Sequence, residues 1–338
     1  MNLDDKDYLS FNNMYKGLKK SCRNVRWKTS VTSFEINAIK NTRKALDELE
    51  SESYKISNYK TFTIYEPKKR IIKATKIRDR QIQRCLCDNY IYENLTKSFI
   101  YDNCACQIGK GTDFALNRMK THLSKYYRRY RTTEGWYLKC DIHHFFESID
   151  HGVAKKFIRK YIKDDFIYNE ICKIIDSFGE CGIGLGSQVS QLIALTYLNE
   201  LDHIIKEKYK IKYYIRYMDD FILIDNNKEK LKECKHFIEE YLSSLNLSLN
   251  KKTTLQKLKF GIKFLNWKFS LTNSGKVIMT QNAQKIREKK QKLKYMHDLN
   301  LGNETASKTL ESMITHLSKG NCNKYIYELK SLYKNLFI

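Results

Sequence analysis

The stretch YYIRYMDDFILID, Tyr213 to Asp225, contains two adjacent aspartates inside an otherwise apolar, β-branched and aromatic run. Such a run predicts strand structure that is buried on both faces. If YYIRY and FILID are the two strands of a hairpin, Met218, Asp219 and Asp220 form its tip. Both carboxylates then protrude from the edge of a sheet.

A second predicted strand also ends in an aspartate, and it helps to explain the two aspartates of the hairpin. The stretch GWYLKCDIHHFF has the β-prone character of a buried strand ending at Asp141. Buried like charges are costly unless a cation or hydrogen bonds stabilise them. Neighbouring central strands would place Asp141 beside Asp219 and supply the hard oxygen ligands that Mg2+ prefers. The alternative is that Asp219 and Asp220 only make a turn, where aspartate is common; the matched context of Asp141 favours the metal site.

Carboxylates that bridge a pair of metal ions, about 4 Å apart, are the apparatus of phosphoryl transfer. One ion activates the attacking hydroxyl, and the other stabilises the leaving pyrophosphate. The pattern therefore predicts phosphoryl transfer, with basic residues elsewhere in the chain to hold a triphosphate and a nucleic-acid backbone.

The composition favours a large protein that binds nucleic acid. The chain has 338 residues, 42% of them hydrophobic, enough for a substantial core divided into two or more subdomains. Its formal charge is +24 and 13% of its residues are aromatic, so a polyanion is the natural partner. The alternative is a lysine-rich composition inherited from an AT-rich genome, but such a bias usually leaves the acidic residues in balance.

The cysteines and the N-terminus indicate the compartment. Several of the 10 cysteines fall within periodic apolar segments, where free cysteine behaves as a small hydrophobe. The C-x-C pairs lack the spacing of zinc sites. The N-terminus has no signal region, and no window approaches about eighteen apolar residues. We expect a soluble, cytoplasmic protein with no membrane partner.

Apolar spacing predicts further elements along the chain. Helical spacing covers about Ser33 to Leu49, Gly152 to Ser177 and Lys228 to Leu245. Another helix follows the glycine loop GECGIGLGSQVSQ, with Ser187 or Ser190 as its cap. Strands cover LSLNKKTTLQKL and FGIKFLNWKFS, and basic helices finish the chain. This order of elements predicts an α+β sandwich with one sheet covered by helices.

In combination, these motifs resemble those of the reverse transcriptases. YMDD at Tyr217 to Asp220 matches their Y-x-D-D box, and YLKCDIHHFFESIDH matches their catalytic aspartate with its following aromatic residues. Further boxes follow in the family's order between about Tyr65 and Phe269: PKKRII, IRDRQIQ, GKGT, the glycine loop, LNKKT and GIKFLNW. Each box alone is weak, whereas their order and spacing are specific.

The resemblance implies a right-hand polymerase with an antiparallel palm sheet backed by helices. Its parts would be an N-terminal helical segment (1–60), fingers (61–135), a palm (136–270, lending helices at about 152–182 to the fingers) and a basic helical thumb (271–338). The implied enzyme is an RNA-directed DNA polymerase, bacterial or phage-encoded. Its substrates would be template RNA, a DNA or RNA primer and deoxynucleoside triphosphates (dNTPs).

The same resemblance implies catalytic roles. Asp141 and Asp219 would be the principal ligands of two Mg2+ ions, for which Mn2+ can substitute. Asp220 would assist, and the backbone carbonyl of Ile142 would complete the coordination shell. Phe146 falls at the aromatic steric gate that collides with a ribose 2′-hydroxyl and so selects deoxynucleotides.

Further implied roles concern the nucleotide and the primer. Lys69 and Arg70, with Arg78 as an alternative, fall where finger residues clasp the triphosphate; the competing interpretation is a solvated basic strand face. Lys252 matches the lysine that helps to hold the nucleotide or the catalytic strand. Asn266 replaces the usual glycine of the F-L-G turn, and asparagine also tolerates a left-handed backbone. The primer grip and the residues under the primer terminus would be Tyr217, Met218, Phe264, Leu265 and Trp267.

The glycine loop departs from most bacterial relatives, which carry Q-G-x-x-x-S-P. Here Leu185 stands before Gly186, and Gln191 follows Ser190. This double change resembles the reverse transcriptases of diversity-generating retroelements. Leucine can only pack where glutamine can hydrogen-bond to template or nucleotide, so checking of the base pair should relax. The alternative is a variant helix cap, with Gln191 capping and Leu185 filling the core.

In that family the product is cDNA copied from a template-repeat RNA, mutated chiefly at template adenines and transferred to a target gene by mutagenic retrohoming. The usual partner is a small basic accessory variability protein, a pentameric helical barrel. One alternative is a phage-defence or retron-like reverse transcriptase of the same fold. Another is a non-catalytic RNA-binding scaffold, against which the retention of Asp141, Asp219 and Asp220 argues.

Overall fold

The computed structural model describes residues 7–65 and 70–337. Its helices are α1 (Phe11–Cys22), α2 (Thr29–Ile36), α3 (Ala38–Glu50), α4 (Ile77–Leu86), α5 (Tyr92–Thr96), α6 (Thr112–Tyr130), α7 (His151–Tyr161), α8 (Asp165–Asp176), α9 (Gln188–Tyr197), α10 (Asn199–His203), α11 (Lys228–Ser244), α12 (Ala283–Asp298), α13 (Asn303–Leu317) and α14 (Asn323–Phe337). Across these residues, no helix combines the length and the apolarity needed to cross a membrane.

The strands form antiparallel sheets. They are β1 (Lys60–Ile64), β2 (Arg70–Ala74), β3 (Trp136–Asp141), β4 (Tyr213–Tyr217), β5 (Asp220–Asp225), β6 (Thr254–Lys257), β7 (Ile262–Phe264), β8 (Trp267–Leu271) and β9 (Val277–Gln281). β1 pairs with β2, the central sheet has the order β4-β5-β3-β6, and β7, β8 and β9 form a third sheet. Helices combined with antiparallel sheets confirm the predicted α+β class.

The central sheet separates two hydrophobic cores. Along β5, Phe221 and Leu223 pack in the core that contains α9 and α11. The alternate residues Ile222 and Ile224 pack in the other core, with residues of α6 and of the β7–β9 sheet. Because successive side chains of a strand point to opposite faces, both faces are buried. The apolar run FILID therefore has the two-sided burial that its composition predicts.

Two helices that the spacing predicts as continuous are divided. The break between α2 and α3 falls at Asn37, where the side-chain amide of Asn41 donates to the Phe34 carbonyl at 2.8 Å. In a continuous helix that carbonyl would accept from the amide four residues later. The region 152–177 divides before Asp164, whose carboxylate caps α8 by accepting from the Ile167 amide at 3.0 Å.

The strand predictions near the C-terminal end of the sheet also need correction. The strand predicted over LSLNKKTTLQKL is confined to β6; before it, Leu249 forms an isolated bridge with Ile142, just beyond the end of β3. The region after residue 270, predicted as helical, begins with β9, which pairs with β8 and buries Met279. Gly275, with φ of 81°, supplies the left-handed turn between these strands.

Candidate active site

Three carboxylates meet where β3 ends and the β4–β5 hairpin turns. Asp141, the last residue of β3, lies directly opposite Asp220, the first residue of β5. Asp219 precedes it in the turn, next to Met218, whose φ of 57° is left-handed. This tight turn keeps both hairpin aspartates at the sheet edge that Asp141 reaches. The structure therefore brings together the residues that the sequence singles out.

The carboxylates of the hairpin are half-buried, and neighbouring carboxylate charges help to raise their pKa values. Burial raises the pKa of Asp219, and the charge of Asp141 raises it further, while Arg70 acts in the opposite direction. Burial also raises the pKa of Asp220 to about 6; Lys139 opposes this rise, and Asp141 and Asp219 add to it. Burial is the main cause of both rises, so the site disfavours the negative charge of the hairpin carboxylates.

A divalent cation fits this donor set. The Oδ1 atom of Asp220 is buried and has no hydrogen-bond partner among the described residues, so a hard oxygen is available. A cation at Asp141 and Asp219, with Asp220 beside them, would offset the repulsion that raises two of the pKa values. In the described part of the chain, however, no three His, Cys, Asp or Glu side chains are already arranged as a complete metal-binding group.

The backbone next to Asp141 places the Ile142 carbonyl on the hairpin side. The Asn250 amide donates to the Asp141 carbonyl at 2.7 Å, and the His143 amide donates to the Ser248 carbonyl at 2.9 Å. In extended antiparallel backbone, the residue between two such bonds directs its own amide and carbonyl the other way. That side is the one on which β5 begins, so the Ile142 carbonyl faces the turn that carries the aspartates.

Lys139 is a site residue that sequence reasoning missed. Its Nζ donates to Oδ2 of Asp220 at 3.1 Å and to the carbonyl of Lys263 in β7 at 3.0 Å. One ammonium group thus links the carboxylate of Asp220 to the sheet that carries the predicted primer grip. The sequence did contain a signal for Lys139. Successive side chains of a strand alternate between its faces, so Lys139, two residues before Asp141, lies on the same face as that aspartate.

Arg216 is a second missed residue, and it supports the hairpin turn from within the core. The guanidinium is fully buried, and its Nε and Nη2 donate to the Asp202 carboxylate at 2.7 and 2.6 Å. Its Nη1 donates to the Met218 carbonyl at 3.1 Å. The sequence signal for this role was an arginine inside an apolar strand. A buried charge needs a buried partner, so such an arginine predicts a buried ion pair.

A cavity of about 460 Å³ lies near the carboxylates, although none of the three aspartates lines it. Arg70 and Glu147, whose charges act on Asp219, both line it. Phe146 and Leu185, predicted as the sugar gate and as a fidelity residue, line the same cavity. Its volume lies within the range of small-ligand pockets, which begins at about 300 Å³. Three residues predicted from separate motifs therefore line one nucleotide-sized space, and one of them, Arg70, also acts on the charge of Asp219.

Arg78 does not reach this cavity. Its guanidinium is paired with Glu48 and lies 3.3 Å from the Asp79 carboxylate. It also stacks over the Tyr54 ring, with its Cζ 5.0 Å from the ring centroid. Because Glu48 lies on α3, these contacts stabilise the packing of α3 against α4. Arg70 is then the arginine of this region that faces the nucleotide cavity.

Two lysines, Lys69 and Lys252, are predicted to contact the nucleotide. Lys69 lies outside the described residues. Lys252 is exposed and lies two residues beyond Asn250, which is hydrogen-bonded to the backbone of Asp141. It does not line the nucleotide cavity.

The glycine loop between α8 and α9 takes part in two cavities. Leu185 lines the nucleotide cavity, whereas Gly186 and Gln191 line a second cavity of about 630 Å³. Ser190 is fully buried in α9, and its hydroxyl has no partner among the described residues. Of the four predicted fidelity residues, Leu185 alone lines the nucleotide cavity.

The predicted primer grip is a tight hairpin between β7 and β8. Leu265 and Asn266 form its turn with φ of 48° and 67°, so the prediction that Asn266 can replace glycine in a left-handed turn is confirmed. Phe264 and Trp267 pair across the hairpin and are each 1% exposed, so they anchor it in the core. Only Leu265 among the three apolar grip residues is partly exposed.

Tyr217 and Met218 lie beside the aspartates, as the Y-x-D-D resemblance implies. Tyr217 is the last residue of β4 and pairs with Asp220, and its hydroxyl lies 3.4 Å from that of Thr112 at the start of α6. Both side chains are half-buried and also pack against the core. Their position suits contact with a primer terminus as well as hairpin packing.

Comparison with known families decides the class of protein. The profile of the reverse transcriptases (RNA-dependent DNA polymerases) matches residues 18–269, which include the carboxylates, the cavity and the glycine loop. This chain belongs to the reverse transcriptase family. The enzyme class predicted from the motifs, an RNA-directed DNA polymerase and thus a nucleotidyltransferase, is confirmed. No curated protein sequence matches closely enough to add to this comparison.

Solved structures of telomerase share the fold of this reverse transcriptase. Apo telomerase of Candida tropicalis, truncated from its C-terminal domain, superimposes with a TM-score of 0.52 at 13% identity, covering 72% of this chain and 60% of that chain. Candida albicans telomerase, in complex with a TWJ fragment of telomeric RNA, gives 0.51 at 11% identity, covering 87% and 64%. The right-hand polymerase fold is confirmed, and this reverse transcriptase spans less than two thirds of those telomerase chains.

Proposed function

We propose that this reverse transcriptase is the error-prone RNA-directed DNA polymerase of a diversity-generating retroelement. It copies a template-repeat RNA from a DNA or RNA primer with dNTPs, and its cDNA, mutated chiefly at template adenines, is used in mutagenic retrohoming. Its partner is a small basic accessory variability protein, a pentamer. The observation that carries the polymerase is the convergence of Asp141, Asp219 and Asp220 at one sheet edge, where the charge of Arg70, a lining residue of the nucleotide cavity, acts on Asp219.

The residues of the site have distinct roles in nucleotide addition. Asp141 and Asp219 would hold two Mg2+ ions, or Mn2+ in their place, and Asp220 and the Ile142 carbonyl would complete the ligand set. The bound ions supply activation of the primer 3′-hydroxyl and stabilisation of the leaving pyrophosphate. Arg70, at the start of β2, reaches the triphosphate from the wall of the cavity.

Two apolar side chains of the nucleotide cavity determine selectivity. Phe146 presents its ring where a ribose 2′-hydroxyl would lie, so a deoxyribose fits and a ribose collides with it. Leu185 supports the error-prone assignment because it offers no hydrogen bond to the base pair. A mismatched pair therefore leaves no polar group of Leu185 unsatisfied, and the penalty that a polar residue would impose is absent.

The function is tested by primer extension on an RNA template with Mg2+ and four dNTPs, followed by sequencing of the products. The reaction is run with and without the small basic accessory protein. Errors concentrated at template adenines support the proposal. Accurate DNA would overturn the diversity-generating role and favour defence or a retron. Absence of DNA under both conditions, with the protein shown to be folded, would overturn the polymerase assignment. The variant Asp219→Asn serves as the negative control for extension.

A further inference from the structure

The β7–β8 hairpin, which carries the predicted primer grip, is held by polar side chains at two points. On β7, the carbonyl of Lys263 accepts from Nζ of Lys139 at 3.0 Å. At the turn, the carbonyl of Asn266 accepts from Nε2 of Gln281 at 2.6 Å. Both donors lie outside the hairpin, Lys139 on β3 and Gln281 on β9. The position of the turn therefore depends on side chains of two other strands.

Lys139 connects its end of the hairpin to the aspartates. The same Nζ donates to Oδ2 of Asp220 at 3.1 Å. A lysine ammonium group has three donors, so one nitrogen satisfies both acceptors. Because the Lys263 carbonyl and the Asp220 carboxylate share this nitrogen, the distance between β7 and the aspartate turn is limited to the span of one ammonium group.

The side-chain amide of Gln281 fits this network in one orientation. The Asn266 carbonyl can only accept a hydrogen bond, so the group that faces it is Nε2. Oε1 of Gln281 then faces Nε2 of His316 on α13, 3.0 Å away, and the imidazole donates. Gln281 is 4% exposed, so water competes little for these bonds. His316 thereby fixes the direction in which Gln281 donates.

The end of α13 is attached to the same strands as Gln281. The ring of His316 packs against that of Trp267 on β8, with 5.2 Å between the centroids. Beyond the helix, the amide of Asn321 donates to the Met279 carbonyl at 2.6 Å, and its Oδ1 accepts from the Met279 amide at 3.0 Å. Met279 lies on β9, two residues before Gln281. The position of α13 is therefore transmitted to the hairpin turn.

The turn itself is unfavourable for its residues. Leu265 and Asn266 are both left-handed, with φ of 48° and 67°. A branched apolar residue such as Leu265 rarely adopts this conformation, because its Cβ lies too close to the following carbonyl. Such backbone persists where surrounding contacts hold it, and it is concentrated at functional sites. The hydrogen bond from Gln281 to Asn266 is one of the contacts that hold this turn.

We propose that Lys139 and Gln281 are positioning residues, which set the distance between the primer-grip turn and the aspartates. His316 acts one step further out, because it orients Gln281. Neither Lys139 nor Gln281 has to touch the primer for this role. An error of about 1 Å in the placement of reacting groups can lower a rate on the order of a hundredfold, so the position of the primer 3′-hydroxyl is a sensitive quantity. This inference rests on the proposed polymerase and on the predicted primer grip.

The experiment separates rate from binding. Lys139→Met and Gln281→Met keep an unbranched side chain and remove the donors. Single-turnover extension on an RNA template over a range of dNTP concentrations gives the maximal rate and the dNTP affinity, and fluorescence anisotropy gives the affinity for primer–template. We expect the maximal rate to fall about tenfold in each variant, with both affinities within about twofold of wild type. Lys139→Arg keeps the charge and the donors, so it should restore most of the rate.

Matched controls carry the same changes at exposed positions. Lys232→Met on α11 and Gln284→Met on α12 replace exposed side chains. Both controls should extend primers at the wild-type rate, because surface substitutions of this kind have little effect on a fold. Circular dichroism of all variants shows that they are folded.

The double variant Lys139→Met/Gln281→Met separates one shared role from two independent roles. If both residues hold one hairpin, loss of the first already releases it, so the double variant should lose only about the tenfold of a single variant. If Lys139 acts only through the charge of Asp220, the two losses should multiply to about a hundredfold. Such multiplication would overturn the proposal.

His316→Phe tests the outer part of the network. Phenylalanine keeps a ring against Trp267 and removes the donor to Gln281, so the maximal rate should fall about threefold, and no further when Gln281→Met is also present. If Gln281→Met does not fold, His316→Phe takes its place in the comparison with Lys139→Met. Wild-type rates in these variants, or a loss confined to primer–template affinity, would overturn this inference and leave the proposed function standing. Absence of extension by the wild type would overturn the polymerase on which the inference rests.

Discussion

The guanidinium of Arg216 and the backbone of Met218 are joined behind the aspartate turn, where Nη1 donates to the Met218 carbonyl at 3.1 Å. The same guanidinium is paired with Asp202, and both side chains are fully buried. Asp202 also accepts from the Tyr214 hydroxyl at 2.6 Å. The conformation of the turn that carries Asp219 is therefore tied to a buried ion pair between β4 and α10.

Removal of one partner from this pair should lower the urea concentration at which the chain unfolds. Asp202→Asn leaves Arg216 buried without a counter-charge, which typically costs about 3–5 kcal/mol. Glu200→Gln is the matched control two residues away, because Glu200 and Lys160 are both about half exposed and such pairs contribute roughly 0–1 kcal/mol. Urea unfolding followed by circular dichroism measures both changes, and equal destabilisation would show that the buried pair has no special weight.

The carboxylate Asp219 should be essential for chemistry but not for folding. Asp219→Asn keeps the side-chain volume and removes a ligand charge, so primer extension should fall at least about a thousandfold, the equivalent of several kcal/mol of transition-state stabilisation. Single-turnover extension gives the rate, and anisotropy with labelled primer–template gives the binding. Asp165→Asn, at an exposed aspartate, should extend normally. Extension by Asp219→Asn at the wild-type rate would refute the metal-ligand assignment.

The convergence of the three aspartates could be predicted from the sequence because its signals are local. An aspartate within an apolar strand is unusual enough to be noticed, and two such strands suffice to identify Asp141, Asp219 and Asp220. Phe146 and Leu185 lie a few residues from these strands or in a glycine-marked loop. Such positions are determined by the backbone on either side of them, which the motifs specify.

Contacts between distant segments could not be predicted in the same way. The partner of Arg216 lies on another element, and the Lys263 carbonyl that Lys139 reaches is far along the chain. The environment of Arg78 depends on Glu48, so a basic residue at the expected place in the sequence serves packing. At the break at Asn37, a side-chain amide takes the place of a backbone donor to the Phe34 carbonyl. Hydrophobic periodicity carries no information about such pairs.

The sugar preference should depend on the ring of Phe146. Phe146→Ala removes the surface that a 2′-hydroxyl would strike, so ribonucleotide incorporation should rise at least about tenfold relative to deoxynucleotide incorporation. Competition between dCTP and CTP during extension measures the ratio. Phe178→Leu enlarges the same cavity at another residue and should leave the ratio unchanged. An unchanged ratio for Phe146→Ala would remove this residue as the gate.

The error spectrum should respond to the chemistry of Leu185 more than to its size. Leu185→Gln introduces a donor and an acceptor at the cavity wall, and a hydrogen bond made only with the correct pair would add about 1 kcal/mol of discrimination. Misincorporation opposite template adenine should therefore fall about fivefold. Leu185→Met keeps the volume and the apolar surface, so its error rate should stay that of the wild type. Deep sequencing of cDNA made on one RNA template compares the three proteins. If methionine lowers the error rate as much as glutamine does, packing of the loop and not hydrogen bonding sets fidelity, and the account of Leu185 given above is wrong.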